Sequence, residues 1–521
     1  MTLIHRPIVM SDAGIVVSGH HKASDAGAEV LRRGGNAIDA AVAASAVLCV
    51  VIPHMSGLGG DCFALYYEAH SERVTAINGS GAAPMKANRS FYTAAGYTAI
   101  PMRGPLSLSV CGLVHAWQAS LEKFGTLSLA KALIPAIGIA ETGVPTDLNL
   151  QAFFSGGIYR DLAAEFPALV QVYGPPGPRW LGQRIRQDAL AKSLRQLASV
   201  GSSALYGGDL GKALVADLDH AGALLSLDDL AIHATRFDTS LSVEFRGAKV
   251  HVAPPNSQGL ALALLLGLWE ELSGQTESHA SLSPEQYLRL KQISFHFRDQ
   301  YVTDPTRSAL PSNLLEKTSL QKLLGSDEVP FTKARTVGGD TTTLVVIDRW
   351  GNAVSWVQSL FEEFGSGVLS PSTGIVMHDR LYLEKLGDDP VHGLSPGLRP
   401  FHTLCPALVI RDGCELAIAT PGDHGQSQSL FQVLVNIYDR GLNIQQAIEA
   451  PRVRHDEGST VMIEDRIPAE WVPSIQNAGY DVQRVGSWSR LMGGVNAISR
   501  HADGLLMAGA DPRRACYATS V

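Results

Sequence analysis

The sequence predicts an α+β fold in which stacked sheets are covered by helices. Three observations predict it. An alanine-rich apolar run at 40–52 is too short to span a bilayer and reads as a buried helix. The last third carries two β-hairpins in succession. Helical segments flank those hairpins on both sides.

In chain order, residues 24–33 read as a short helix stopped by Gly34-Gly35. Asn36 then caps the alanine-rich helix, which runs to about residue 50. After Pro53, HMSGLGGDCFALYY is a glycine-rich turn entering a strand. Its SGLGGD lacks the spacing of a dinucleotide loop and reads as a turn near a site. Helical spacing returns over 107–141. From 204 to 288 helices alternate with one clear strand, 249–252, and PPNSQG (254–259) punctuates the chain before a helix at 260–272. Residues 308–339 are polar and irregular and end in Gly338-Gly339. β-Branched runs at 341–347 and 353–358, joined by DRWGN, form the first hairpin. The second joins 406–410 to 415–420 across Arg411-Asp412-Gly413. PGDHG then leads into a helix at 426–438.

Composition narrows the chemistry. The 521 residues carry a net charge of −8 with no lysine or arginine cluster, so neither nucleic acid nor a membrane surface is an expected partner. The 17 histidines show no HExxH or other compact ligand spacing, and no metal or other cofactor is expected. No GxSxG elbow is present. The six cysteines are scattered without a CxxC pair and read as reduced thiols. MTLIHRPIVMSDAGIVVSGH has no basic start followed by a sustained apolar stretch, so no signal peptide is read and a cytoplasmic location is expected.

One segment invites two readings. GGDTTTLVVID is ordinarily a strand that opens with three threonines. Alternatively it is an autoprocessing nucleophile. A threonine hydroxyl needs an adjacent base. If Thr341 became N-terminal its own α-amine would serve, with a reference pKa of about 7.7–8.0. The glycine pair before Asp340 would permit the strained turn that scission needs. Spacing alone does not choose between them.

Context does. GGDTTTLVVIDRWGNAVSWVQSL and the following FGSGVLSPSTGIVM resemble the small-subunit start of γ-glutamyltranspeptidases. HKASDAGAEVLRRGGNAIDAAVAAS, VIPHMSGLGGDCF, PLSLSVCGLVHAWQASLEKFGTLSLAKALIPAI, FRGAKVHVAPPNSQG, ATPGDHGQSQSLFQVLVNIYDRGLNIQQAIEAPRV and the closing GADPRR resemble further blocks of that family, in family order. The resemblance implies a four-layer αββα sandwich of the N-terminal nucleophile hydrolase type. It also implies scission between Asp340 and Thr341 into a large subunit, 1–340, and a small subunit, 341–521, with a dimer of such heterodimers as the expected assembly. Thr341 is then the nucleophile of maturation and turnover. Ser359 matches a family threonine whose hydroxyl supports it. Gly422 and Asp423 match the oxyanion-hole pair, usually two glycines, at a loop entering a helix.

The specificity positions depart from the family. Its carboxylate-binding arginine falls at Ser80 in Asn78-Gly79-Ser80-Gly81, and its Ser-Ser pair at His402-Thr403. An asparagine and a glutamine that contact the donor amine are replaced by Phe361 and Arg380. Arginine and histidine in place of amine-binding groups favour a small anionic substrate. The pattern resembles the oxamate amidohydrolase branch, which implies an oxamate-like amide cleaved to oxalate and ammonia, with Arg380 or His402 neutralising the carboxylate. True γ-glutamyl transfer or glutathione hydrolysis, a cephalosporin-acylase-like activity, and an uncleaved binding or scaffold protein are the competing readings.

Overall fold

The computed structural model describes residues 5–274, 282–325 and 340–521. Gly338-Gly339 lie outside the described residues. The helix His21–Arg32 is capped by the His20 ring and ends at Gly34, whose φ of 86° suits a residue without Cβ. Asn36 and Asp39 form a capping box for Ala37–Val51. All fifteen residues of that helix are buried. Its alanines let it lie close to His21–Arg32, to Leu129–Thr142 and to the sheet below. Each buried valine or leucine contributes about 1.5–3 kcal/mol.

Two seven-stranded antiparallel sheets form the centre. One runs Tyr517–Ser520, Gly14–Ser18, Asp340–Asp348, Ala353–Phe361, Asp61–Glu68, Arg73–Gly79, Arg236–Thr239 in spatial order. The other runs Val9–Ser11, Leu506–Ala510, Asn496–Arg500, Cys414–Ala419, Ala407–Ile410, Ala248–Val252, Leu241–Phe245. Their facing residues, among them Val17, Phe63, Val345, Leu408, Ala417 and Ile498, share one buried cluster. Outer faces are covered by separate clusters, the first including Ala37–Val51, the second Gly259–Ser273 and Gly425–Tyr438. This is the αββα sandwich.

Both sheets contain strands from before and after residue 340, so 1–340 and 341–521 share one core rather than forming two bodies. Both expected hairpins are present. Two expectations are corrected. Residues 308–339 are not irregular throughout, since Lys317–Leu324 is a helix with Leu320 and Leu323 buried against Gly259–Ser273. The strand near 249–252 has company, because Leu241–Phe245 pairs with it and Arg236–Thr239 extends the other sheet. Their short, mixed sequences carry little alternation. All six cysteines are free and buried. Among the described residues no helix is long and apolar enough to cross a membrane.

Candidate active site

Thr341 sits at a β-bulge. Asp340 pairs with Phe361 and Thr342 with Gln358, which leaves Thr341 opposite two residues, Ser359 and Leu360. The irregularity re-aims the side chains. Thr341 Oγ1 donates to Ser359 Oγ at 3.0 Å, and Ser359 Oγ donates to the Asp340 carbonyl at 2.8 Å. The Phe361 N–H donates to Ser359 Oγ at 2.7 Å and fixes its orientation. Phe361 itself has φ 81°, a conformation costly for a bulky side chain. One hydroxyl thus bridges the candidate nucleophile to the bond it would cut. The glycine-rich turn walls this point, as expected. Leu360 N–H donates to the Met55 carbonyl at 3.0 Å, and a Cβ on Gly60 would lie 2.6 Å from the Ser359 carbonyl oxygen.

The Asp340 carboxylate is buried and accepts from Arg490 Nη2 and Arg514 Nη1. Burial would raise its pKa, but Arg514 and Arg490 outweigh burial and hold it at about 2. This ionised state is lost only as pH falls through that value. A cavity of about 280 Å³ opens beside it, lined by Thr341, Arg490, Arg514, His54 and Phe153. Burial drives His54 down to about 4, so its ring is neutral, and its Nδ1 has no hydrogen-bond partner.

Of the expected substrate-binding residues, Arg380 meets both Phe361 and Thr403. The Arg380 guanidinium lies 4.0 Å from the Phe361 ring and donates from Nη1 to Thr403 Oγ1 at 3.3 Å. Its Nε and Nη2 are buried without partners. Burial lowers Arg380 to about 10, which leaves it charged at neutral pH. His402 Nε2 lies 3.3 Å from Asp61 Oδ2, and burial pushes its pKa well below the ordinary value. His402 is therefore neutral rather than a second cation, and neither ring nitrogen makes a hydrogen bond. PPNSQG braces this wall. His402 N–H donates to the Asn256 carbonyl at 2.8 Å, Gln258 N–H donates to the His402 carbonyl at 2.8 Å, and Gln258 Nε2 donates to the Asp423 carbonyl at 2.9 Å.

Gly422 (φ 125°) and Asp423 (φ 54°) form the turn two residues before Gly425–Tyr438, a backbone that glycine adopts most easily at both positions. Both Asp423 carboxylate oxygens are buried and unpartnered. Sequence reasoning missed their companions. Asp379 Oδ2 and Glu362 Oε1 are also buried orphans, Asp61 Oδ2 lies against the His402 ring without making a hydrogen bond, and burial raises Asp61, Asp379 and Glu362 to about 7, 7 and 9. Burial moves Asp423 from 3.8 to about 7. Between about pH 4 and 7 the folded state holds a proton that the unfolded state has released, so stability declines as pH rises through that window. Asp423→Asn removes the proton exchange. Its melting temperature, relative to wild type, should rise by a few degrees between pH 4 and pH 8, as followed by circular dichroism. A pH-independent difference would refute the assignment.

The Gamma-glutamyltranspeptidase family model matches residues 23–521. The chain belongs to the γ-glutamyltranspeptidase family. It is 37% identical to the glutathione hydrolase-like YwrD proenzyme of Bacillus subtilis, covering 97% of this chain and 98% of that one. It is 34% identical to the oxamate amidohydrolase proenzyme of Klebsiella pneumoniae, with the same coverages. The cephalosporin acylase of Bacillus halodurans superposes with a TM-score of 0.92 at 28% identity, over 100% of this chain and 98% of that structure. In this γ-glutamyltranspeptidase family member, Ser80 stands where the sequence resemblance implies an arginine. Its hydroxyl donates to Asn78 Oδ1 at 2.6 Å and accepts from Asn256 Nδ2 at 3.2 Å. That position is uncharged and satisfied.

Proposed function

We propose that the chain is a self-cleaving amide hydrolase that uses Thr341 on small anionic amides, of which oxamate is the simplest. The observation that carries this reading is the hydroxyl relay from Thr341 through Ser359 to the Asp340 carbonyl. In maturation, Thr341 Oγ attacks that carbonyl, the Asp340–Thr341 amide becomes an ester, and water cleaves it. A C-terminal Asp340 and a free α-amine on Thr341 result. The proenzyme names of the Bacillus and Klebsiella relatives agree with such a step. In turnover, the amine takes the hydroxyl proton as Oγ attacks the substrate amide. N–H groups of Gly422 and Asp423 stabilise the oxyanion, and ammonia leaves with the proton. Water then attacks the acyl ester, releases the diacid and restores the hydroxyl.

Arg380 is the cation proposed to hold the substrate carboxylate, and neutral His402 adds a hydrogen bond. Arg380→Ala should raise KM for oxamate more than tenfold while the protein still runs as two bands on a denaturing gel. An unchanged KM removes Arg380 from the site. γ-Glutamyl hydrolysis or transfer is the second reading, favoured by carboxyl oxygens of Asp61, Asp379, Asp423 and Glu362 that make no hydrogen bond and could accept a donor ammonium. Ammonia release from oxamate, compared with aniline release from a γ-glutamyl anilide, separates the two. Turnover of the anilide alone would overturn the oxamate reading.

A further inference from the structure

Asp340 is the acyl donor of the first reaction proposed for this site, and its side chain shows how a carboxylate is held there. Arg490 Nη2 and Arg514 Nη1 each donate to one of its carboxylate oxygens. Both arginines line the cavity beside Thr341, together with the neutral His54, whose Nδ1 has no hydrogen-bond partner. Arg514 is braced by donating from Nη2 to the Arg490 carbonyl at 3.2 Å, and its Nε has no partner. The nearest other charge on the pair is Glu363, whose Oε1 lies 3.7 Å from Arg490 Nη2.

Scission frees Asp340 from Thr341, and a substrate carbonyl must then occupy the space in front of the Thr341 hydroxyl that the Asp340 carbonyl fills. The two cannot be seated together. Once Asp340 leaves, the half-exposed Arg490 and the largely buried Arg514 face the cavity without the carboxylate they shared, and two like charges so close together favour an anion between them. In an aspartyl residue two carbons separate the side-chain carboxylate from the main-chain carbonyl. The monoamide of a four-carbon dicarboxylic acid has the same separation. Oxamate, with its carboxylate directly on the reacting carbonyl, cannot reach as far.

We propose that Arg490 and Arg514 form a second carboxylate seat, filled by Asp340 in the precursor and by the distal carboxylate of a succinyl-type acyl group in the mature enzyme. This inference rests on the reading of Thr341 as an amide-cleaving nucleophile and extends its substrates to succinamate-like amides. Succinamate passes its acyl group to Thr341 Oγ with loss of ammonia, and water releases succinate from the ester.

Two measurements test it. Calorimetric titration with succinate should show binding to the cleaved protein and at least tenfold weaker binding to the uncleaved Thr341→Ala chain, in which Asp340 keeps the seat. The cleaved fractions of Arg490→Gln and Arg514→Gln should bind succinate at least tenfold more weakly than wild type. Ammonia release should favour succinamate over butyramide by at least tenfold in kcat/KM, and the arginine variants, normalised to cleaved chain, should lose that preference. If an arginine variant fails to cleave, the comparison of wild type with Thr341→Ala still decides. Equal binding by the precursor, binding indifferent to both arginines, or no preference over butyramide overturns the seat. Succinate binding that depends on both arginines, with no amide hydrolysed, would instead leave the seat standing and sink the amide-hydrolase reading.

Discussion

The Thr341→Ala chain should run as one full-length band of 55.5 kDa where the wild type gives two, and should release no ammonia from any amide. Both losses have a single cause. The Thr341 hydroxyl is the only one in hydrogen-bonding contact with Ser359 Oγ among the described residues. Alanine leaves Ser359 donating to an intact carbonyl with nothing to attack it. Loss of a nucleophile costs about 10⁴-fold or more in such systems. Thr341→Ser, which keeps the hydroxyl, should cleave and turn over more slowly rather than not at all. Mass spectrometry of the purified proteins reads the scission directly, and an N-terminus at residue 341 is the expected signature. A Thr341→Ala protein that still divides at this bond would remove Thr341 from maturation. A wild type that remains whole, without activity, would favour the scaffold reading.

Much of this site was legible in the sequence because its parts are local. The hairpin that carries Thr341 and Ser359 announces itself through β-branched residues and the DRWGN turn, and Asp348 completes that turn by accepting from Trp350 and Asn352. Asn36 and Asp39 likewise mark a helix start within four residues. The family resemblance implies roles for Phe361, Arg380, His402, Thr403, Gly422 and Asp423, and the fold sets Arg380 against Phe361 and Thr403 and ties His402 to Asp423 through Gln258. What escaped is set by strand order rather than by sequence neighbourhood. Asp61 faces Ser359 only because Asp61–Glu68 lies beside Ala353–Phe361. Arg490 sits in a short turn without any periodic signal, and Arg514 belongs to a block whose family match says nothing of its partner. The charge of His402 was equally out of reach, because a histidine's protonation depends on burial that no local pattern reveals.

Ser359→Ala should separate maturation from folding. The side chain is 1% exposed and hydroxyl removal creates almost no cavity, so a thermal melt should stay within a few degrees of wild type. The rate of self-cleavage should nevertheless fall by about 10²–10³-fold, equivalent to about 2.7–4 kcal/mol of barrier, the usual consequence of deleting a donor aimed at a developing oxyanion. Three bonds vanish together: the acceptor for Thr341 Oγ1, the donor to the Asp340 carbonyl, and the acceptor for the Phe361 N–H. The last of these also leaves the strained Phe361 backbone less constrained. Ser359→Thr restores the hydroxyl that the family places here and should recover cleavage. Asp340 stays ionised down to about pH 2 under its two arginines, so no inflection from its carboxyl should enter the cleavage profile between about pH 4 and 8. Gel densitometry of precursor against time, at several pH values, measures all of this at once. Wild-type cleavage rates in Ser359→Ala would mean that Thr341 attacks without the relay, and the chemistry assigned to the bulge would then have to be carried by the backbone alone.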